Sequence, residues 1–467
     1  MSEQAASAAE GGSSPFPASD ARLRFGTDGI RGSDTELTPE LVYAVGRAAA
    51  SALGLTPASR FVIGRDTRRS GPMLESALAA GVASSGVHVE RLGVLPTPGV
   101  AWVSASAGVA GAVISASHNV FSDNGVKFFA PGGRKLSDET EAALEAALDV
   151  LVGDGPTGSP AAAGAPGDVS EVDRSSDYGD RVLACLEGRR LDGLSVVLDA
   201  AHGAASVVGP EVLARSGARL RVLHAAPDGT NINDGCGSTH PEALCRAVVD
   251  AGADLGLALD GDADRVVAVD HRGELVDGDQ LITLLALDLQ ARHLLYEDTV
   301  VVTVMANLGL HRALAHHGIT VVETPVGDRH VLAALERGRW SLGGEQSGHI
   351  ILPALATTGD GLLSGLLAAD VVRRTGRSLA ELASAMTRLP QVLRAVRVAR
   401  RDPAAAQGWY EEVAAVEKEL GGEGRVLVRA SGTEPVVRVM VEAAEADRAE
   451  HLADRLVREI ERVAGIG

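Results

Sequence analysis

Leu255-Gly256-Leu257-Ala258-Leu259-Asp260-Gly261-Asp262-Ala263-Asp264-Arg265-Val266-Val267-Ala268-Val269 is an apolar run, an acidic turn and a second apolar run. The flanking runs have strand length and read as buried strands, so the turn lies at a strand end, where α/β proteins place their ligands. Asp260, Asp262 and Asp264 occupy alternate positions and project to one side of an extended or tightly turning segment, where like charges crowd. A hard divalent cation neutralises such a crowd, and Mg²⁺ is the natural candidate. A calcium loop is excluded, because it needs Gly and Glu where Arg265 and His271 stand. A solvated acidic turn is the competing reading, and the apolar strands on both sides weigh against it.

Outward from this turn the chain keeps an α/β rhythm. Strands are predicted at Arg60–Gly64, Gly111–Ile114, Leu194–Leu198, Leu220–Leu223, Val300–Val304 and Thr320–Val322, with helices at Leu41–Ala52, Met73–Ser85, Pro210–Ser216, Gln280–His293, Leu310–His316 and Gly361–Arg374. Residues 153–170 are Gly, Pro, Ser and Ala without an apolar stripe and read as a flexible linker or surface excursion. The expected division is a disordered tail at 1–21, α/β units at 22–152, 171–270 and 271–388, and a last unit at 389–467. That last unit holds strands Arg425–Val428 and Val436–Glu442 and an amphipathic helix Ala446–Val463.

The 467 residues suffice for three or four domains, and 45% hydrophobic with 22% charged residues exclude a wholly disordered chain. Forty-three basic against 62 acidic residues leave a net charge of −19, which argues against broad binding to nucleic acid or an anionic membrane. A small anionic ligand then needs a locally basic pocket. Cys185, Cys236 and Cys245 are an odd number without Cys-x-x-Cys spacing, so no disulfide framework or zinc knuckle is expected and the chain reads as cytoplasmic. The first twenty residues lack the basic and apolar regions of a secretory signal.

Three further segments carry chemistry. Ser115-Ala116-Ser117-His118-Asn119 follows the predicted strand Gly111–Ile114, and Lys127 comes soon after. The Ser117 hydroxyl suits a nucleophile or phosphate carrier, with His118 and Lys127 supplying proton transfer and charge; ordinary Ser/Asn turn chemistry is the alternative. Gly343–His349 presents Glu345, Ser347 and His349 at period two, on one side, as groups for sugar hydroxyls or as a polar loop with a satisfied histidine. Arg429-Ala430-Ser431-Gly432-Thr433-Glu434-Pro435, with Arg438 beyond it, has the parts of a phosphate cradle or of a plain hairpin turn.

Arg24–Gly32 (RFGTDGIRG), Ile114–Asn119 with Asp123–Phe129, Asp260–Arg265, Gly343–His349 with Thr357–Gly361, and Arg429–Glu442 together resemble the α-D-phosphohexomutase family, most closely its branch acting on glucosamine phosphates. The resemblance implies three related α/β domains with mixed sheets and a smaller C-terminal α+β domain around a central active-site cleft. It implies that Ser117 carries a phosphoryl group and that Mg²⁺ joins it to Asp260, Asp262 and Asp264. Arg31, Lys127 and Arg265 would surround the phosphoserine, with Lys127, His118 or His349 as candidate proton carriers. Arg429, Ser431, Gly432, Thr433 and Arg438 would hold the distal phosphate, and Glu345, Ser347 and His349 the sugar. Asp328 and Arg329 fall in what looks like the substrate-orienting loop, where His330 stands in place of a common tyrosine. Val120 replaces the usual proline after SASHN, which loosens that turn and removes no functional group.

The implied activity is an isomerase interconverting glucosamine 6-phosphate and glucosamine 1-phosphate through a phosphoserine and a 1,6-bisphosphate (glucose or glucosamine 1,6-bisphosphate as intermediate or activator), for amino-sugar nucleotide and cell-wall synthesis. Mannose or glucose phosphates are the alternative substrates. A non-catalytic sugar-phosphate sensor would be expected to lose Ser117 or an aspartate, and none is lost. The expected partner is a small-molecule sugar phosphate, with neither nucleic acid nor membrane and with a homodimer as the candidate assembly.

Overall fold

Apolar runs without polar interruption become strands covered on both faces in the computed structural model, which describes residues 25–26, 29–153, 165–398, 409–430 and 436–464. These residues fall into two units. One comprises those up to Leu275 together with Ala354–Asp370; the other comprises Val276–Pro353 together with those from Val371 onward.

The first unit begins with β1 (Phe25–Gly26), β2 (Gly29–Ser33), α1 (Pro39–Ala52), β3 (Arg60–Arg65), α2 (Gly71–Ala83), β4 (His88–Val94), α3 (Thr97–Ala107), β5 (Ala110–Ile114), β6 (Asp123–Ala130), β7 (Arg134–Lys135), α4 (Asp138–Gly153) and β8 (Val169–Glu171). The sheet order is β1-β2-β6-β5-β3-β4-β8, with β7 on β6. β3 runs parallel to β4 and β5, whereas β6 is antiparallel to β2 and β5, so the sheet is mixed. Thr38 caps α1 by accepting from the Leu41 amide, and Pro39 occupies the first turn. The helix then lays Val42, Val45 and Ala49 against Leu74 and Leu78 of α2 over Phe61 and Ile63 of the sheet.

Val169 and Ser170, expected in a linker, instead belong to β8, which pairs in parallel with β4 through Val89 and Glu90. The pairing is made by backbone groups, which the side-chain pattern does not announce. Residues 154–164 of that stretch and the 1–21 tail lie outside the described residues.

A second sheet in this unit follows from α5 (Ser175–Leu183), β9 (Ser195–Asp199), α6 (Val208–Arg215), β10 (Arg219–Leu223), α7 (Glu242–Ala251), β11 (Leu255–Leu259), β12 (Val266–Asp270) and β13 (Leu275–Val276), in the order β10-β9-β11-β12-β13. β9 is parallel to β10 and β11, while β11 and β12 are antiparallel with Leu259 opposite Val266. The acidic segment is therefore the link between two fully buried strands.

The second unit holds α8 (Gly278–Ala291), β14 (Thr299–Thr303), α9 (Leu308–His316), β15 (Thr320–Thr324), α10 (Asp328–Gly338), β16 (Leu342–Gly344) and β17 (Ile350–Ile351), with sheet order β15-β14-β16-β17. Asp277 and Gln280 form a reciprocal capping box at the start of α8. Helix α11 (Gly361–Thr375) begins in the first unit; α12 (Leu379–Ala383), β18 (Gln391–Arg397), α13 (Tyr410–Leu420), β19 (Arg425–Ala430), β20 (Val436–Glu442) and α14 (Ala446–Ala464) complete the chain. The last sheet, β18-β20-β19, is antiparallel, and Leu452, Leu456 and Ile460 of α14 cover Val437, Val439 and Val441.

Residues 354–370, within the expected 271–388 unit, group with the first unit by their contacts. The Gly361 amide donates to Ala263 O at 3.0 Å, and the Tyr178 hydroxyl donates to Asp360 Oδ2 at 3.0 Å. A Cβ on Gly361 would lie 2.2 Å from Arg265 O, so glycine alone allows this approach.

Candidate active site

β5 ends at Ile114, and the next residues turn back into β6 with Ser117 at φ +52°, a left-handed conformation uncommon for a residue with a Cβ. Its neighbours hold it there. The Ser117 amide donates to Ser115 Oγ at 2.9 Å, and that hydroxyl donates to Asp66 Oδ2 at 2.7 Å. The Ser117 carbonyl accepts from Arg68 Nη2 at 3.1 Å and from Asn233 Nδ2 at 2.9 Å. Arg68 is 1% exposed, pairs with Asp66 at 2.9 Å and donates also to the carbonyls of Asn119 and Val120. Strain of this kind persists only where the surroundings over-determine it.

The Ser117 hydroxyl donates to Asp260 Oδ2 at 2.6 Å and lies 3.3 Å from His118 Nδ1, which is 3.3 Å from Arg265 Nη1. Lys127 Nζ donates to Asp262 Oδ2 at 2.8 Å and to Asp264 Oδ2 at 3.4 Å, and the Thr97 hydroxyl donates to Asp262 Oδ2 at 2.6 Å. Arg31, on β2 opposite Gly125 of β6, adds positive charge to His118. The structure thus brings Ser117, His118, Lys127, Arg31, Arg265 and the three aspartates into one cluster.

Ser117, Lys127 and the aspartates are all buried, so water does little to screen their charges. Burial, followed by the charges of Asp264 and Asp262, pushes the Asp260 carboxyl well above the usual carboxylate range. Burial, followed by Arg265 and Arg31, holds the His118 imidazole down at about 4. One oxygen from each of Asp260, Asp262 and Asp264 lies within 4.8 Å of the others, and the buried Asp262 Oδ1 has no hydrogen-bond partner. Three hard oxygen donors, one of them unsatisfied, fit a divalent metal ion.

In the second unit, the turn from β16 to β17 departs from the expected alternation. The Gly348 amide donates to Glu345 O at 2.9 Å and closes a tight turn, leaving His349 buried, Glu345 half-buried and Ser347 exposed. The turn instead meets the start of α10: Glu345 Oε1 accepts from the Gly327 amide at 3.2 Å, and His349 Nε2 is 3.4 Å from Asp328 Oδ2. Arg329 follows Asp328 in α10 and its amide donates to Asp328 Oδ1 at 2.8 Å. Arg429 and Arg438 are register partners on β19 and β20 and line a cavity of about 300 Å³ with Leu393, Leu427 and Met440. Burial and the adjacent Arg438 charge lower the Arg429 pKa, the condition of a pair that gains from an anion. Ser431, Gly432 and Thr433 lie outside the described residues.

Four residues that touch this chemistry escaped the sequence reading: Asp66, Arg68, Thr97 and Asn233. Asp66 and Arg68 follow directly on β3, and applying the strand-end rule to that strand as well would have found them. Thr97 and Asn233 act from 165 and 116 positions away, and no local spacing signals that.

Sequence profiles described as phosphoglucomutase/phosphomannomutase alpha/beta/alpha domains I, II and III match residues 22–150, 176–273 and 277–389, and that of the C-terminal domain matches 393–459. The phosphoglucosamine mutase of Mycolicibacterium vanbaalenii is 52% identical over 446 residues, covering 94% of this chain and 99% of that protein. A crystal structure of a phosphoglucomutase/phosphomannomutase family protein from Burkholderia thailandensis has the same fold, with TM-score 0.78 at 23% identity over 95% of this chain and 98% of that one. So does Aspergillus fumigatus N-acetylphosphoglucosamine mutase, solved in complex with GlcNAc-6P and magnesium, with TM-score 0.68 at 21% identity over 94% and 96%. By four matched domains and half-identity along nearly its whole length, the chain belongs to the phosphoglucosamine mutases of the α-D-phosphohexomutase family.

Proposed function

We propose that the chain converts glucosamine 6-phosphate to glucosamine 1-phosphate with Ser117 as carrier of the phosphoryl group. The observation that carries this reading is the Ser117 hydroxyl, 2.6 Å from Asp260 within a cluster of three buried carboxylates and three cations. Phosphoserine transfers its group to the free sugar hydroxyl: the phosphorus–Oγ bond breaks, a bond to the sugar oxygen forms, and the hydroxyl proton passes to a nearby base. The 1,6-bisphosphate then presents its other phosphate, Ser117 Oγ attacks it, and a sugar hydroxyl is regenerated. Bound Mg²⁺, held by Asp260, Asp262 and Asp264, supplies positive charge against the oxygens of the transferring group.

Lys127 and Arg265 lie where they also meet that charge, and Arg31 adds to the positive field. His118, kept neutral near pH 7 before phosphorylation, is able to accept a proton beside Ser117. Glu345, His349, Asp328, Arg329 and Ser347 are assigned to the sugar, and Arg429 and Arg438 with Ser431, Gly432 and Thr433 to the distal phosphate. Three unpaired cysteines suit a reducing compartment, and the reading places the reaction in the cytoplasm. Among the described residues no helix is long and apolar enough to cross a membrane.

Intact-mass measurement with peptide mapping tests the carrier role: one phosphate on Ser117 is expected, absent in Ser117→Ala together with turnover. An active alanine variant overturns it. Turnover of glucosamine, glucose and mannose phosphates compared side by side tests the substrate, and higher kcat/KM on either neutral sugar moves the assignment.

A further inference from the structure

The carboxyl ends of β9 and β10 gather a second set of donor atoms, made of residues other than the acidic triad. β10 lies parallel to β9 with Leu223 opposite Asp199, so His224 stands directly beyond the strand end beside that carboxylate. The connection toward α7 returns Cys236 to the same place. One carboxylate oxygen of Asp199, one ring nitrogen of His224 and the sulfur of Cys236 all lie within 4.8 Å of one another. Asp199 and Cys236 are completely buried, and the thiol is unpaired.

Two observations separate this set from a satisfied polar network. His224 Nδ1 is 2.9 Å from Asp199 Oδ2, yet that buried nitrogen has no hydrogen-bond partner of acceptable geometry. The two atoms approach without a proton in line between them, as ligands around a shared centre do. Asp199 is oriented from behind by backbone, with the Ala201 amide donating to Oδ1 at 2.9 Å and the Gly237 amide to Oδ2 at 3.1 Å. Outer hydrogen bonds of this kind fix a ligating carboxylate and leave lone pairs for a metal. The His202 ring walls one side, edge-on to His224 at 5.3 Å between centroids.

We propose that Asp199, His224 and Cys236 form a binding site for a thiophilic divalent cation of the Zn²⁺ class, with water in the fourth position. Mixed oxygen, nitrogen and sulfur donors suit a borderline-soft ion, whereas Mg²⁺ takes oxygen donors, so the two sites select different metals. Binding replaces the Cys236 S–H bond with a sulfur–metal bond and releases that proton to solvent, so affinity rises with pH. The site also has a structural link to the catalytic loop. Asn233, three residues before Cys236, donates through Nδ2 to the carbonyls of Ser117 and Asn119, both at 2.9 Å.

The test uses the full chain in excess Mg²⁺, titrated with Zn²⁺ by calorimetry and with Co²⁺ by absorption. One equivalent of Zn²⁺ is expected, with a thiolate-to-cobalt charge-transfer band and the strong visible bands of a four-coordinate centre. His224→Ala and Cys236→Ser should each weaken Zn²⁺ binding by at least about tenfold, and Cys236→Ser should remove the thiolate band. Cys245→Ser and Asp262→Asn should leave both in place. His224 is partly exposed, so its variant decides the matter if Cys236→Ser fails to fold. Equal Zn²⁺ affinity in His224→Ala and the parent, absence of the thiolate band, or loss of binding in Cys245→Ser or Asp262→Asn overturns the proposal.

Discussion

The Ser117 hydroxyl donates a 2.6 Å hydrogen bond to Asp260 Oδ2 across 143 positions of sequence. That bond joins the ends of two sheets: β5 delivers the serine, and β11 delivers the aspartate. Neither side chain reaches the other by flexibility, because both are buried and their backbones are held from behind. The same first unit therefore contains Ser117, the acidic triad and Lys127, His118, Arg31 and Arg265 around them.

Arg68 is the residue that fixes the Ser117 loop. Replacing it with lysine keeps a charge beside Asp66 but loses the fork that reaches the Ser117 and Asn119 carbonyls. Arg68→Lys should lower kcat on the order of 100-fold with KM nearly unchanged, since the loss is one of positioning. Arg68→Ala leaves Asp66 as a buried unpaired charge and should cost about 3–5 kcal/mol in a denaturation experiment. Unchanged kcat in the lysine variant would remove Arg68 from the account.

The acidic link was legible because five apolar residues precede Asp260 and four follow Arg265, so strand length and charge alone place it at a strand end. The supporting contacts were not. Arg68 and Asn233 bind backbone oxygens about 50 and 116 positions away, and an oxygen of the main chain leaves no mark in the sequence. Period two misplaced Ser347 because a turn closed by Glu345 and Gly348 has no alternating faces. The split of residues 354–370 from their neighbours depends on glycine contacts such as Gly361 against Arg265, which become visible only once both segments are folded.

One oxygen of Asp262 has no hydrogen-bond partner, while its other oxygen takes Lys127 and Thr97. Chelation of divalent cations should abolish turnover, and added Mg²⁺ should restore it. In Asp262→Asn the Mg²⁺ concentration for half-activation should rise by at least about tenfold, because one hard anionic donor is gone. Metal-titrated initial rates read this directly, and an unshifted activation curve counts against the triad.

Asp360 gives a pH dependence of stability. Burial raises its carboxyl from the ordinary 3.8 to about 6, against the lowering effect of the Leu363 amide and the Tyr178 hydroxyl. A raised folded pKa means that the proton is held more tightly in the folded state. The group's contribution is fully present below pH 4 and is lost as pH rises through 6, a loss of about 3 kcal/mol by neutral pH. Asp360→Asn cannot titrate, so its stability relative to the parent should rise between pH 5 and pH 7.5 by about 1.4 kcal/mol, the part of the loss that falls in that window. Unfolding curves of both proteins at the two pH values settle it, and parallel behaviour excludes the effect.

Gly261 sits between Asp260 and Asp262, the first and second aspartates of the triad, and its lack of a side chain is a spatial requirement. A Cβ there would lie 2.6 Å from Ser117 O, 2.7 Å from Asn233 Nδ2 and 2.8 Å from Ile232 Cδ1. Retreat is blocked on the other side, where the Gly261 carbonyl accepts from the Ala204 amide at 2.8 Å and a Cβ on Gly203 would approach it to 2.3 Å. Gly261→Ala must then push the acidic link away from the Ser117 loop. The expected result is a fall in kcat on the order of 100-fold, with a stability loss of about 1–3 kcal/mol from overpacking. Gly54, at positive φ and with open space around it, provides the control: Gly54→Asn should leave both quantities near those of the parent. Full activity in Gly261→Ala would mean that the separation between Ser117 and the aspartates tolerates movement, and the tight coupling inferred from the 2.6 Å bond would be wrong.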